Sequence, residues 1–309
     1  MNYRKYLAAM VLSTLAGDAL AQQPGPGQPQ PGMRMDFSNV SIKTTDLGHR
    51  TYELEGQGGN ITVAVADDGV IMVDSEFAPL HDRIKAAIAA VTDKPIRYLV
   101  DTHFHPDHTG GNAAFAADGA VIVAQENVRV RLAAGTQGMM GNKIPPAPPE
   151  ALPTKTYADE LTLKLKGREA QLRHVPAAHT DGDTYVYFAD ANVLATGDLV
   201  SIGRYPYIDF PNGGNINGMI AGVDALLKHV DDGTRVIPGH GPVIGKTELL
   251  AYQAMLETAR ERMKKLIGAD KSEDEVVAAK PFADFDARLG VNDRESRIFI
   301  VSVYRSLKM

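Results

Sequence analysis

His103-Phe104-His105-Pro106-Asp107-His108 puts three imidazoles and a carboxylate into six consecutive residues of a chain that has only nine histidines in all. A solvated loop of ordinary composition does not concentrate histidine in this way. The cluster follows Ile96-Arg97-Tyr98-Leu99-Val100, an apolar run that reads as a short buried strand, so it lies where a strand opens into a loop. On nearly extended backbone His103 and His105 project the same way and can reach one ion. Asp107 and His108, beyond the proline, can turn towards a second ion beside the first. Neutral imidazole and carboxylate are ligands that suit zinc, and also iron or manganese.

Three more residues of ligand type stand at similar places. His179 lies in the polar loop Ala177-Ala178-His179-Thr180-Asp181-Gly182-Asp183, before the strand-like Thr184-Tyr185-Val186-Tyr187-Phe188. Asp198 ends the run Val193-Leu194-Ala195-Thr196-Gly197-Asp198, and His240 sits in Pro238-Gly239-His240-Gly241 after Arg235-Val236-Ile237. An α/β sheet carries its chemistry at such strand ends. Any one of the three alone reads as an ordinary polar side chain; the whole set is what points to a metal centre.

The pattern His103-x-His105-x-Asp107-His108, followed by His179, Asp198 and His240, resembles the metallo-β-lactamase-fold hydrolase superfamily. The similarity extends to Gly59-Asn60-Ile61-Thr62-Val63 and to Gly69-Val70-Ile71-Met72-Val73-Asp74, which resemble the opening strands of that family. His108-Thr109-Gly110-Gly111-Asn112 is similar to its exit from the metal loop into a helix, and the match runs over roughly residues 45–250. The resemblance implies an α/β fold, an αββα sandwich of two mixed sheets flanked by helices. It also implies two zinc ions. His103, His105 and His179 would hold one, Asp107, His108 and His240 the other, and Asp198 would bridge them. A zinc ion with an open position lowers the pKa of its water from ~15.7 to roughly 7, which supplies a hydroxide nucleophile. Asp107 is the carboxylate placed to orient that hydroxide and shuttle a proton.

Many β-lactam-hydrolysing members carry a cysteine at the position of Asp198 and a lysine three residues later that grips the substrate carboxylate. Here the run is Asp198-Leu199-Val200-Ser201, and both are missing. The aspartate bridge, with Gly203-Arg204 shortly after it, looks like the glyoxalase II, lactonase and esterase branches. The resulting expectation is a dinuclear zinc-dependent hydrolase acting on a carbonyl substrate: an ester, lactone or amide, with weak β-lactam hydrolysis at most. The alternatives are an iron-dependent oxidoreductase of the same fold, such as a persulfide dioxygenase, and a true periplasmic β-lactamase. Arg204, Tyr205 and Tyr207 follow the bridging aspartate and are the candidate substrate contacts, against the alternative that they anchor their loop. Asp74 is expected to orient a ligand histidine from behind. His49, His81, His174 and His229 are read as structural or surface residues, with His174, on the strand before the His179 loop, the best placed of them to support a ligand from behind.

Residues 1–21 have a basic start (Arg4, Lys5), a short apolar core and an Ala19-Leu20-Ala21 cleavage site, the pattern of a secretory signal peptide. The core is too short to span a bilayer, and no cysteine follows to take a lipid anchor. The expected compartment is periplasmic or secreted, with no membrane anchor once the leader is cut after Ala21. Residues 22–33, rich in Pro, Gly and Gln, read as a linker, which leaves 34–309 as the hydrolase domain. Cysteine is absent throughout, so stability comes from burial and metals rather than disulfides. Loss of the leader takes the formal charge from −6 to −7. With no basic run, that balance argues against nucleic acid and for a small-molecule substrate.

Strand-like runs recur at 50–56, 60–66, 70–74, 96–101, 120–124, 159–165, 169–175, 184–189, 192–196 and 235–238. Helical spacing covers about 79–91, 112–117, 125–133, 216–229 and 247–267, and a last helix runs over 292–309. Gly-Gly-Asn occurs at 58–60, 110–112 and 213–215, which reads as turn glycine with turn or capping asparagine. Leu132–Pro153 is dense in Pro and Gly and is expected to be an irregular loop overhanging the metals, with Met139, Met140 and Ile144 offered to substrate.

Overall fold

The computed structural model describes residues 35–138 and 141–309, so the proposed leader, the whole of the proposed linker and Met139–Met140 lie outside the described residues. The first sheet opens with four antiparallel strands: β1 (Lys43–Asp46), β2 (Thr51–Glu55), β3 (Ile61–Val65) and β4 (Val70–Val73). Helix α1 (His81–Ala89) then crosses over to β5 (Ile96–Val100). Helices α2 (Pro106–Thr109) and α3 (Asn112–Ala117) lead on to β6 (Val121–Gln125), which is followed by α4 (Glu126–Ala134). A small hairpin, β7 (Thr136–Gln137) with β8 (Lys143–Ile144), precedes β9 (Lys155–Tyr157). Strands β4, β5, β6 and β9 are parallel neighbours, so the sheet is mixed, in the order β1-β2-β3-β4-β5-β6-β9.

The second sheet is β10 (Glu160–Leu165), β11 (Arg168–Val175), β12 (Asp183–Phe188), β13 (Val193–Ala195) and β14 (Arg235–Ile237), in that order, with only the last pair parallel. Helix α5 (Ile216–Leu227) connects β13 to β14. The chain ends in α6 (Lys246–Gly268), α7 (Glu273–Ala278), α8 (Ala283–Leu289) and α9 (Asp293–Lys308).

Alternation along the central strands generates the layers. On β4, Ile71 and Val73 point between the sheets, where they join Val100, Val123, Leu172, Val186 and Phe188. Val70 and Met72 point the other way, onto Ile84 and Ile88 of α1 and Phe115 of α3. Both faces of β4 are covered, so Val70-Ile71-Met72-Val73 reads as a continuous apolar run rather than an alternating pattern. The outer face of the second sheet packs Leu194 and Val236 against Met219 and Val223 of α5, Leu256 of α6 and Phe299 of α9. The result is the expected four-layer αββα sandwich.

Elements absent from the sequence reading are short or lie at edges. β1 is Lys-Thr-Thr-Asp, mostly exposed, and is held by pairing with β2 rather than by burial. The segment 132–153 is not wholly irregular: α4 extends through Ala134, β7 and β8 pair, and a 3-10 turn covers Pro149–Ala151. The Gly-Gly-Asn tripeptides also differ from one another. Asn215 does cap α5, accepting from Asn217 N–H. Asn60 instead donates to the Pro238 and Gly241 carbonyls, at 3.0 and 2.8 Å, and Asn112 donates to Asp101 and Ala151. Those two asparagines fasten distant loops together, a role that short-range turn chemistry does not disclose.

Candidate metal centre

Strand ends deliver the side chains. Asp74 follows β4, Asp101 to His103 follow β5, His179 sits between β11 and β12, Asp198 follows β13 and His240 follows β14. All seven residues proposed as ligands come together. Three sets of ligand atoms lie within 4.8 Å of one another: His103, His105 and His179; His103, His108 and Asp198; and Asp107, His108 and His240. Asp198 faces both sides. Its Oδ1 is 3.3 Å from His108 Nε2 and 3.4 Å from His240 Nε2, while Oδ2 is 3.7 Å from His179 Nε2. Asp107 Oδ2 completes the second side, 3.3 Å from His240 Nε2.

Partners behind the rings decide which nitrogen faces inward. Thr102 Oγ1 donates its only proton to Asp74 at 2.8 Å, so it must accept from His103 Nδ1, 3.1 Å away. His105 Nε2 donates to Asp209 at 2.9 Å, and His179 Nδ1 donates to the Tyr207 carbonyl at 2.6 Å. The inward atoms, His103 Nε2, His105 Nδ1 and His179 Nε2, are then lone pairs. They face one another at 3.1 Å (His103 to His105) and 2.9 Å (His179 to His105). Three converging lone pairs repel unless a cation lies among them. On the second side the buried His108 Nε2 and Asp198 Oδ1 lie 3.3 Å apart but do not meet in hydrogen-bond geometry. A buried polar atom left in that state is costly, and coordination is what would satisfy it. The residues fit a metal pair.

Electrostatics separate the two halves. Burial, helped by the surrounding imidazoles, holds His103 well below the usual histidine range. Burial also pushes His179 down to about 4, so both rings are neutral and ligand-competent. At His108 burial is overcome by the charges of Asp198, Asp74 and Asp107, which hold it well above the usual range. Asp198 and Asp107 likewise lift His240 to about 9 against its burial. Asp107, beside His108 and His240, lies at about 2 despite desolvation. This half therefore attracts positive charge, as the neighbourhood of two carboxylates requires.

Close packing keeps the cluster in place. Asp74 takes a left-handed backbone conformation (φ 64°), from which Oδ1 accepts Thr102 N–H at 2.8 Å and Oδ2 accepts from His108 Nδ1 at 2.8 Å. A single carboxylate thus orients His108 directly and His103 through Thr102, in line with the expectation from sequence. A β-carbon on Gly59 would lie 2.1 Å from His108 Cε1, and one on Gly239 would lie 2.0 Å from Asp198 Oδ1, so both positions need glycine.

The remaining candidates divide. Arg204 and Tyr207 line an open cleft of about 320 Å³ above the cluster, together with Asn142, His105, Asp107 and His240. Tyr205 also reaches its edge, but its hydroxyl donates to Asp286 at 2.6 Å and its ring stacks on Phe299 at 4.2 Å. Its structural role is to fasten this loop to the C-terminal helices. His174 bonds to the Asp183 carbonyl at 3.0 Å, a contact to the loop that carries His179 rather than to a ligand ring. His81 bonds to Asp82 and Asp118, and His229 to Tyr185, away from the cluster. Asp209 was not among the candidates. Nothing in Tyr207-Ile208-Asp209-Phe210 distinguishes it from any loop aspartate, and only the fold brings it behind His105.

The model of the metallo-beta-lactamase superfamily matches residues 54–241. A linear primary-alkylsulfatase from Pseudomonas sp. is 26% identical over 223 residues, 60% of this chain and 42% of the relative. The chain therefore spans less than half the length of that relative. A hydroxyacylglutathione hydrolase from Polaromonas sp. is 26% identical over 219 residues, 68% of this chain and 74% of the relative. Among solved structures, VMB-1 superposes with a TM-score of 0.57 at 19% identity, covering 71% of this chain and 98% of that one, which is a likeness of fold.

Proposed function

The chain belongs to the metallo-beta-lactamase superfamily, and from that premise we propose that it is an exported, dinuclear zinc hydrolase of a carboxylic ester, lactone or amide. The observation that carries this reading is the pair of ligand sets sharing Asp198 beneath an open cleft. In this reading His103, His105 and His179 hold one ion, Asp107, His108 and His240 hold the other, and Asp198 lies between them. When bound, the ions would supply an activated water at neutral pH and a Lewis acid for the substrate oxygen.

The chain's own side chains do the rest. Asp107, ionised and on the cleft side of His240, accepts a hydrogen bond from the attacking water and fixes its direction. Arg204, exposed at the rim, offers a forked cation to a substrate carboxylate. Tyr207 and Asn142 present polar side chains to the oxygen of the scissile group. No serine or cysteine nucleophile is required.

The alkylsulfatase relative adds a specific second reading, hydrolysis of a sulfate ester by the same centre. A panel of aryl esters, lactones, thioesters, alkyl sulfates and cephalosporins, assayed with zinc-loaded protein, discriminates between the two. Fastest turnover of an ester or lactone supports the proposal, whereas turnover of alkyl sulfates alone replaces it with the second reading. Export is tested on the same preparation. Intact mass should place the new amino terminus at Gln22, and retention of Met1 in the cytoplasm would reject a periplasmic location.

A further inference from the structure

Alternate residues of the metal loop serve two different spaces. His105 and Asp107 line the polar cleft, whereas Phe104 and Pro106 line a separate pocket of about 490 Å³. That pocket is walled by Phe104, Pro106, Leu132, Ile144, Pro146 and Ala147. It also borders Arg131, but the guanidinium is turned to other partners, donating to Asp181 at 2.6 Å and to Asn212 at 3.1 Å. Thr109 is bonded to the His105 carbonyl, which leaves the Thr136 hydroxyl as the one uncommitted polar side-chain group on an otherwise apolar lining among the described residues. Ile144 lines both spaces and so marks the boundary between the metal cleft and the apolar pocket.

Resting on the hydrolase reading above, we propose that this pocket takes an unbranched aliphatic chain of the substrate, making medium-chain acyl esters the preferred class. The ester group would lie in the polar cleft, and the chain would pass Ile144 into the pocket. Volume supports this, because ligand sites of a few hundred Å³ enclose molecules well beyond the size of an acetyl group. Preorganisation supports it too. Pro145, Pro146 and Pro148 hold their φ angles fixed, and the Ala147 N–H donates to the Leu132 carbonyl at 2.8 Å, so one wall is built before any ligand arrives. Apolar walls next to a polar centre sort substrates by chain length, since each methylene removed from water improves binding by up to about fourfold.

Titration calorimetry on the full zinc-loaded chain with acetate, butyrate, hexanoate and octanoate tests the proposal without any turnover. Affinity should climb with each added pair of methylenes. The ratio of octanoate to acetate affinity should collapse in Ala113→Phe, which fills the pocket from α3, and in Ala147→Phe, which fills it from the opposite wall. Two variants are used so that a folding failure in one leaves the other to report, with zinc content and circular dichroism as the check. Equal affinity for all four acids in wild type, or an unchanged ratio in both folded variants, would overturn the assignment. Hydrolysis of p-nitrophenyl acetate and octanoate separates this proposal from the one it rests on. Esters cleaved without regard to chain length would remove the pocket and leave the hydrolase. A rising affinity series with no ester cleaved would remove the ester hydrolase and leave the pocket.

Discussion

Asp209 accepts a hydrogen bond from His105 Nε2 at 2.9 Å, and this contact turns Nδ1 of the same ring towards His103 and His179. The backbone N–H of Asp209 also donates to the His179 carbonyl at 2.9 Å, so one residue braces the ring of His105 and the main chain of His179. Partners of this kind behind metal ligands typically contribute about 10- to 100-fold in metal affinity. Asp209→Ala should therefore weaken zinc binding at the three-histidine side by that order, as read by competition with a chelator. Wild-type affinity in a folded variant would mean that His105 needs no such brace.

His179→Ala and Asp107→Ala should fail in different ways. Removing His179 takes one of three converging lone pairs, so metal content and rate should fall together. Asp107 is placed both as ligand and as the group that directs the attacking water. Its loss should leave turnover slow even when zinc is supplied in excess. Rates and metal contents measured side by side decide the matter, and near-normal values in both variants would put the active centre elsewhere.

Gly239→Ala tests the packing beneath the shared carboxylate. The new methyl would meet Asp198 Oδ1 at 2.0 Å and the Gly197 carbonyl carbon at 2.7 Å, and backbone on that side cannot move aside cheaply. Overpacking of this sort costs about 1–3 kcal/mol. A lowered Tm together with loss of metal is expected, and a stable variant with full zinc occupancy would show that Asp198 tolerates displacement.

Much of this centre was legible because ligand chemistry is rare and local. Three of the imidazoles occur within one hexapeptide, and Asp198 and His240 each close an apolar run that could only be a buried strand. Strand β4 is legible for a similar reason, since burial on both faces leaves no polar residue in Val70-Ile71-Met72-Val73 to blur it. What escaped is what the fold alone assembles. Asp209 lies 104 residues from His105, and Asn60 lies 178 from the Pro238 carbonyl it holds. Tyr205 lines the cleft, and that Asp286 and Phe299 also hold it, 81 and 94 residues away in sequence, is something no local pattern discloses. One omission did carry a signal: Ser272-Glu273-Asp274-Glu275 has capping-box spacing and opens α7 with both reciprocal bonds.

β-Lactam turnover should be weak. Ser201 stands where many β-lactamases carry a lysine, and a lost charge-assisted hydrogen bond is worth about 1.5–3 kcal/mol, a tenfold to hundredfold weaker hold. Arg204, exposed on the rim of the cleft, is the one arginine or lysine lining it among the described residues. Comparison of kcat/KM for a cephalosporin and a lactone, in wild type and Arg204→Ala, should favour the lactone and show a further loss for the cephalosporin in the variant. Efficient cephalosporin hydrolysis that survives removal of Arg204 would make a β-lactamase the better reading.

Metal stoichiometry tests the central claim most directly. Protein purified without added metal, dialysed against zinc and analysed by inductively coupled plasma mass spectrometry, should hold about two zinc ions per chain, as two ligand sets around one carboxylate require. Asp198→Ala should lower occupancy at both sites, because its two oxygens face both. One tightly held iron per chain, or two zincs retained without Asp198, would contradict a carboxylate-bridged zinc pair.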